Sequence, residues 1–208
     1  MSRTGSLALA IVCIIILYML YEFSSTSTSA HEVISQIDGR RYRVQTSYEE
    51  FEHAADMFAT LHARITRLLQ YLQGQQSDDL QRQQIIAQLI ARYKPTNLVE
   101  NSPPKTSGGD TSYTLNKGAE IAICLRDRET DQFHDLEILT FVILHEMTHI
   151  AIEEVEHPAR FWAAFRYILE EAENGGIYTS PRYADIPQKY CGLMVNYNPR
   201  YDPWVVAI

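Results

Sequence analysis

A chain of 208 residues that is 46% hydrophobic and 21% charged has enough apolar material for one globular core with appendages, and it is not low-complexity. Its 26 acidic residues outnumber 18 Lys and Arg for a net charge of -8, and no long basic run appears, so a surface that tracks nucleic-acid phosphates is excluded and direct nucleic-acid binding is not expected. Cys13, Cys124 and Cys191 are too few and too scattered for a disulfide framework or a Cys-rich zinc site. Cys13 lies in an apolar segment, which leaves Cys124 and Cys191 as one possible pair; they are expected as buried thiols, bridging only if the domain faces an oxidising space.

The chain opens with an unbroken apolar run over residues 7–21, preceded by Arg3 and followed by Glu22 and a Ser/Thr tract at 24–29. With its margins it is long enough to cross a bilayer, with Tyr18 and Tyr21 at one interface. A cleaved signal peptide is the rival, with Thr28-Ser29-Ala30 as its cleavage site, but that site lies far beyond the apolar run. The expectation is a single-pass anchor through residues 7–23, the N-terminus cytoplasmic beside Arg3 and the domain on the opposite face. Residues 1–30 are then anchor and polar linker, and residues 31–208 the domain.

Within that domain the segment 31–94 reads as a hairpin followed by a helical hairpin. Strands over 33–37 and 41–44 flank Asp38-Gly39, which suits a tight type I′ turn. Ser47 and Glu50 form a capping-box pattern ahead of a helix whose Phe51, Ala54, Phe58, Leu61, Ile65, Leu68 and Leu72 make one apolar stripe. His53 and His62 fall off that stripe and are expected in solvent. Ser77-Asp78-Asp79 starts a second helix with Leu80, Ile86, Leu89, Ile90 and Tyr93 on one face, stopped by Pro95. Residues 95–112, rich in Pro, Gly, Ser, Thr and Asn, read as a long surface loop.

The segment 113–208 begins with short strands over 113–115 and 120–125 joined through Asn116-Lys117-Gly118. A strand ahead of a metal-binding helix matters because in many zinc peptidases an edge strand there pairs with an extended substrate backbone. Asp135 then opens a helix that is apolar nearly all round through Leu144, yet continues as His145-Glu146-Met147-Thr148-His149. Histidines four residues apart share one helix face and can reach one ion, and the carboxylate between them stands beside that face. Two imidazoles and a carboxylate in so apolar a helix would cost several kcal/mol unless paired or metal-bound.

A third ligand requires a break. On a continuous helix His157 would lie about 12 Å along the axis from His149. Pro158 disfavours helical geometry at His157 and suits the start of a new helix over 159–174, so a turn between Ile152 and Glu156 would bring His157 back. Glu170 and Glu171 are rival ligands from that second helix, one or two residues off the usual spacing. Three histidines leave one coordination position open, as a catalytic zinc site requires. The remainder, 175–208, with four prolines and five tyrosines, reads as an irregular aromatic wrap over the core; Tyr183 and Tyr190 are not assigned to the site.

The residues His145, Glu146, His149, His157, Phe161 and Trp162, in the order HEMTH then EHPARFW, resemble the WLM and SprT-like zinc metallopeptidases, with spacing nearest that of WLM-type proteins of large DNA viruses. The resemblance covers residues 113–201. It implies a minigluzincin-like core with Zn2+ on His145, His149 and His157, and Glu146 as general base. Relatives commonly carry glycine before the third histidine, where this chain has Glu156.

Together these features set the expectations. The fold class is α+β, a small mixed sheet packed on helices that include the HExxH helix, with an N-terminal transmembrane helix. The activity is that of a membrane-anchored zinc metallopeptidase acting on a peptide or protein substrate, with virion or host-cell membrane and membrane-protein partners in view. The contrasting reading is a non-catalytic, membrane-associated structural protein of virion type that retains the fold.

Overall fold

The computed structural model describes residues 30–75, 77–103 and 111–208. The expected membrane segment at 7–23 lies outside the described residues, and among those described no helix is long and apolar enough to cross a membrane.

Strands β1 (Ala30–Ile34) and β2 (Arg41–Gln45) pair antiparallel with Val33 opposite Tyr42. The expected hairpin forms, but its connection is longer than a two-residue turn. Gly39 takes φ 69°, while Asp56 reaches from the following helix to accept from Ser35 Oγ at 2.6 Å and the Gln36 amide at 2.7 Å, so a helix side chain shapes the loop. That helix, α1 (Phe51–Gly74), starts at Phe51 after a left-handed Glu50. The Ser47/Glu50 capping box does not form. Instead Glu50 turns its carbonyl to receive the Arg126 guanidinium at 3.3 Å. The apolar stripe is buried as expected, from Ala54 through Phe58, Leu61, Ile65 and Leu68 to Leu72.

Helix α2 (Leu80–Arg92) is capped by Asp79, whose carboxylate accepts from the amides of Gln81 and Arg82. Its buried face is rotated from the expected one: Ile85, Leu89 and Tyr93 are buried, while Leu80 and Ile90 are exposed. His62, expected in solvent, instead links the two helices, its Nδ1 lying 3.1 Å from the Tyr93 hydroxyl. His53 packs edge-on to Phe133.

The expected surface loop at 95–112 contains a 3-10 turn (Pro95–Asn97) and a buried strand, β3 (Leu98–Glu100). With β4 (Tyr113–Leu115) and β5 (Glu120–Ile123) it completes a sheet of order β1-β2-β3-β5-β4. The β2/β3 and β3/β5 pairs are parallel and the outer pairs antiparallel, the mixed sheet expected from the sequence. Glu100 makes β3 look like loop material, but it is paired: it accepts from Arg126 Nε at 3.0 Å and from the Gln45 amide at 2.8 Å. Burial pushes its carboxyl above the usual range, and the amide and guanidinium oppose that shift.

Helices α3 (Leu136–Ala151) and α4 (Ala159–Asn174) complete the core. The tail is more ordered than an irregular wrap. Strands β6 (Gln188–Tyr190) and β7 (Leu193–Val195) form a hairpin, followed by a 3-10 turn (Pro199–Tyr201). Its two turn residues, Cys191 and Gly192, have φ 47° and 80°, as a type I′ turn demands. Cys191 and Cys124 are not free thiols. They form a disulfide across a sequence separation of 67, fastening the hairpin to the end of β5.

Closing a loop of that length restricts the unfolded chain by about 4 kcal/mol. Cys124→Ser/Cys191→Ser, or reduction by dithiothreitol, should therefore lower the unfolding free energy of the domain by about 2–4 kcal/mol in urea titrations. Reduction should leave the stability of the double variant unchanged.

Candidate metal centre

Helix α3 is buried on nearly every side, and its polar residues converge at its C-terminal end. His145 and His149 stand one turn apart with ring centroids 5.1 Å apart. The helix stops at Ile152, whose backbone is extended at φ -120° and ψ 158°. The chain reverses through Glu156 at φ 60° and enters α4 at Pro158. This is the turn expected between Ile152 and Glu156, made with a glutamate in the left-handed region that favours glycine.

Cationic side chains hold the reversal. Arg92 Nη1 donates to the Ile150 carbonyl at 2.9 Å and so caps the C-terminal end of α3, where a positive charge is favourable. Lys117 Nζ donates to the Glu154 carbonyl at 2.9 Å, and Arg160 reaches the Glu154 carboxylate at 2.9 Å. His157 is thereby returned to the motif, its Nε2 lying 2.9 Å from that of His145. One ring nitrogen each of His145, His149 and His157 lies within 4.8 Å of the others, close enough to hold a single ion. Phe161, fully buried, is the floor of the cluster, its ring centroid 4.5–4.8 Å from all three imidazoles.

Burial holds the imidazoles neutral. Desolvation, with the neighbouring histidines adding to it, lowers His145 to about 3 and His149 to about 4, and His157 is lowered by burial as well. Unprotonated nitrogens converging on one point form a donor set that fits zinc. The rival Glu170 is not brought in; it is occupied by Arg166 at 2.9 Å and Arg200 at 3.4 Å.

Glu146 is buried, and Thr114 Oγ1 on β4 donates to its Oε2 at 2.9 Å. Thr114 is therefore a site residue that no motif marks, and the same holds for Lys117. The strand at the sheet edge beside α3 is β4, while β5 lies inside the sheet between β3 and β4. A cleft of about 600 Å³ runs between β4 and the 152–157 reversal, lined by Tyr113, Thr114, Lys117, Glu146, Val155 and the three histidines. Tyr190 stays out of it, bonding Ser112 Oγ and the Cys124 amide. Tyr183 packs against Phe141.

Residues 72–183 match the WLM domain. The chain is 33% identical over 191 residues to uncharacterized protein R325 of Acanthamoeba polyphaga mimivirus, covering 92% of this chain and 94% of that protein. Uncharacterized protein 136R of Invertebrate iridescent virus 6 is 30% identical over 89 residues, 42% of this chain and 48% of that protein, so the match spans about half of the viral relative. DNA-dependent metalloprotease WSS1 homolog 2 of Schizosaccharomyces pombe is 34% identical over 80 residues, 36% of this chain and 28% of that protein. Among solved structures, Wss1 from Saccharomyces cerevisiae aligns with a TM-score of 0.47 at 20% identity, over 63% of this chain and 85% of that one.

The lowered imidazoles set a pH dependence for the metal-free domain. Unfolded histidines take up protons below about pH 6.5, whereas the folded cluster stays neutral until about 4 for His149 and 3 for His145. Protons then bind preferentially to the unfolded chain, so the contribution of these histidines to stability should fall as pH drops from 6.5 and reach its limit below about 3. Urea midpoints measured across this range in EDTA should show that slope, and His145→Ala should flatten it.

Proposed function

The chain belongs to the WLM domain family, and from that membership we propose that it is a zinc-dependent peptidase, anchored through residues 7–23, with His145, His149 and His157 as metal ligands and Glu146 as general base. The observation that carries the reading is the convergence of three imidazoles beside a buried carboxylate at the wall of an open cleft. Zinc bound there supplies Lewis acidity, polarising a carbonyl and lowering the pKa of water.

The chain's own residues divide the remaining work. Glu146 accepts the proton of the attacking water and delivers it to the leaving amine. Thr114 holds the Glu146 carboxylate in place through its hydrogen bond to Oε2. Strand β4, the outer strand of the described sheet, receives an extended substrate backbone and lays the scissile carbonyl across the histidines. The disulfide supports a domain that faces an oxidising space, which agrees with an anchor whose short N-terminal side is cytoplasmic. The DNA dependence in the yeast relative's name is not carried over, because this chain is acidic and has no basic run.

Glu146→Gln should retain one zinc per chain by elemental analysis and lose cleavage of a peptide library by roughly 10²–10⁴-fold. His149→Ala should lose the metal itself. Zinc binding with no Glu146-dependent cleavage would overturn the peptidase reading and leave a non-catalytic structural role. Thr114→Val should keep zinc and lower kcat by roughly 10-fold, the usual effect of removing a group that orients an active-site residue.

A further inference from the structure

A second depression shares His145 with the Glu146 cleft and opens between α3, α4 and β7 with the segment that leaves it. It encloses about 180 Å³, and its walls are Phe141, Trp162, Phe165, Met194, Val195 and Tyr197. His145 lines both this pocket and the main cleft, so the two meet at the metal cluster. The aromatic walls are braced: Trp162 stacks on His157 at 5.5 Å and meets Tyr197 edge-on at 5.2 Å. The Tyr197 hydroxyl is turned to Asp202, to which it donates at 2.9 Å. Asn196 and His145 are the polar side chains on the lining, and no Asp, Glu, Lys or Arg stands there.

We infer that this pocket is the specificity site of the proposed peptidase and takes one aliphatic or aromatic side chain of the substrate, next to the bond held at the histidines. The inference rests on the peptidase reading. Its physical basis is the pocket's composition and place. A peptide lying along β4 and crossing the histidines puts an adjacent side chain at the mouth beside His145. Burying a leucine or phenylalanine there gains its transfer free energy, while a charged side chain would be desolvated with no counter-charge to meet it. Met194, 53% exposed on β7, forms a pliable rim that can close over side chains of different shape.

The test uses binding, so that it does not depend on turnover. The chain has two tryptophans, and Trp204 is 90% exposed, so Trp204→Phe leaves Trp162 in the pocket wall as the sole reporter. In a Glu146→Gln/Trp204→Phe background, capped peptides differing only in a central residue are titrated while Trp162 emission is followed. Leucine and phenylalanine peptides should give a saturable blue shift with roughly 10-fold or more tighter binding than alanine, aspartate or lysine peptides. Val195→Phe, which fills the pocket, should weaken the phenylalanine peptide and spare the alanine one; Val195→Ala should do the reverse. Equal affinities for all peptides, no Trp162 response to any, or indifference to both Val195 changes would overturn the inference. Glu146-dependent cleavage of the same peptides by the otherwise unaltered chain reports on the peptidase reading separately.

Discussion

The reversal between Ile152 and Pro158 is the constraint on which the site depends. Continued as helix, the chain would carry His157 about 12 Å past His149. A non-glycine residue in the left-handed region costs on the order of 1 kcal/mol, and Glu156 accepts that cost at φ 60°. Hydrogen bonds from Arg92 to Ile150 and from Lys117 to Glu154 fix the backbone on either side of Glu153, and Pro158 ends any tendency to continue α3. The bend is thus imposed by several groups from different parts of the chain. Its result is a histidine triad already assembled by protein contacts.

The sheet is tied to that triad through the β4–β5 turn. Asn116, Lys117 and Gly118 all have positive φ, and a Cβ at Gly118 would lie 3.2 Å from Ile150 Cδ1 and 3.3 Å from the Arg92 carbonyl. Glycine there lets the turn lie directly on the last turn of α3, which brings Lys117 to the reversal and Thr114 to Glu146. The edge strand that would hold substrate and the carboxylate that would take its proton are therefore positioned by one contact.

The readable parts of the sequence were those governed by local periodicity and steric rules. The α1 stripe, the end of α2, the HExxH helix and the Pro158 start of α4 all follow from spacing or from proline, and His145 and His149 share a helix face as their spacing requires, while His157 joins them only through the reversal. What escaped depends on partners distant in the chain. Strand β3 is three residues ending in a carboxylate, and only Arg126 and the Gln45 amide make Glu100 tolerable in the core. The Ser47/Glu50 pattern promised a capping box, but Arg126 claims the Glu50 carbonyl. Thr114 carries no motif, and its role exists because β4, the outer strand of the described sheet, packs on α3. The disulfide was open to sequence only as one possible pair; it forms because the β6–β7 turn returns Cys191 to the end of β5.

That return also ties the apolar pocket to the cleft. Tyr190, just before the turn, shares a hydrogen bond with Ser112 at the start of β4 and accepts from the Cys124 amide at 3.2 Å. The Cys191 amide donates to His134 Nε2 at 3.0 Å, on the segment leading into α3. The hairpin that supplies Met194 and Val195 to the apolar pocket is therefore fastened to the edge strand, to the end of β5 and to the approach to α3. A peptide held along β4 and a side chain lodged against β7 would bind a single rigid frame. Disorder in either wall would otherwise have to be removed on binding, at the cost of the affinity that a small apolar pocket can provide.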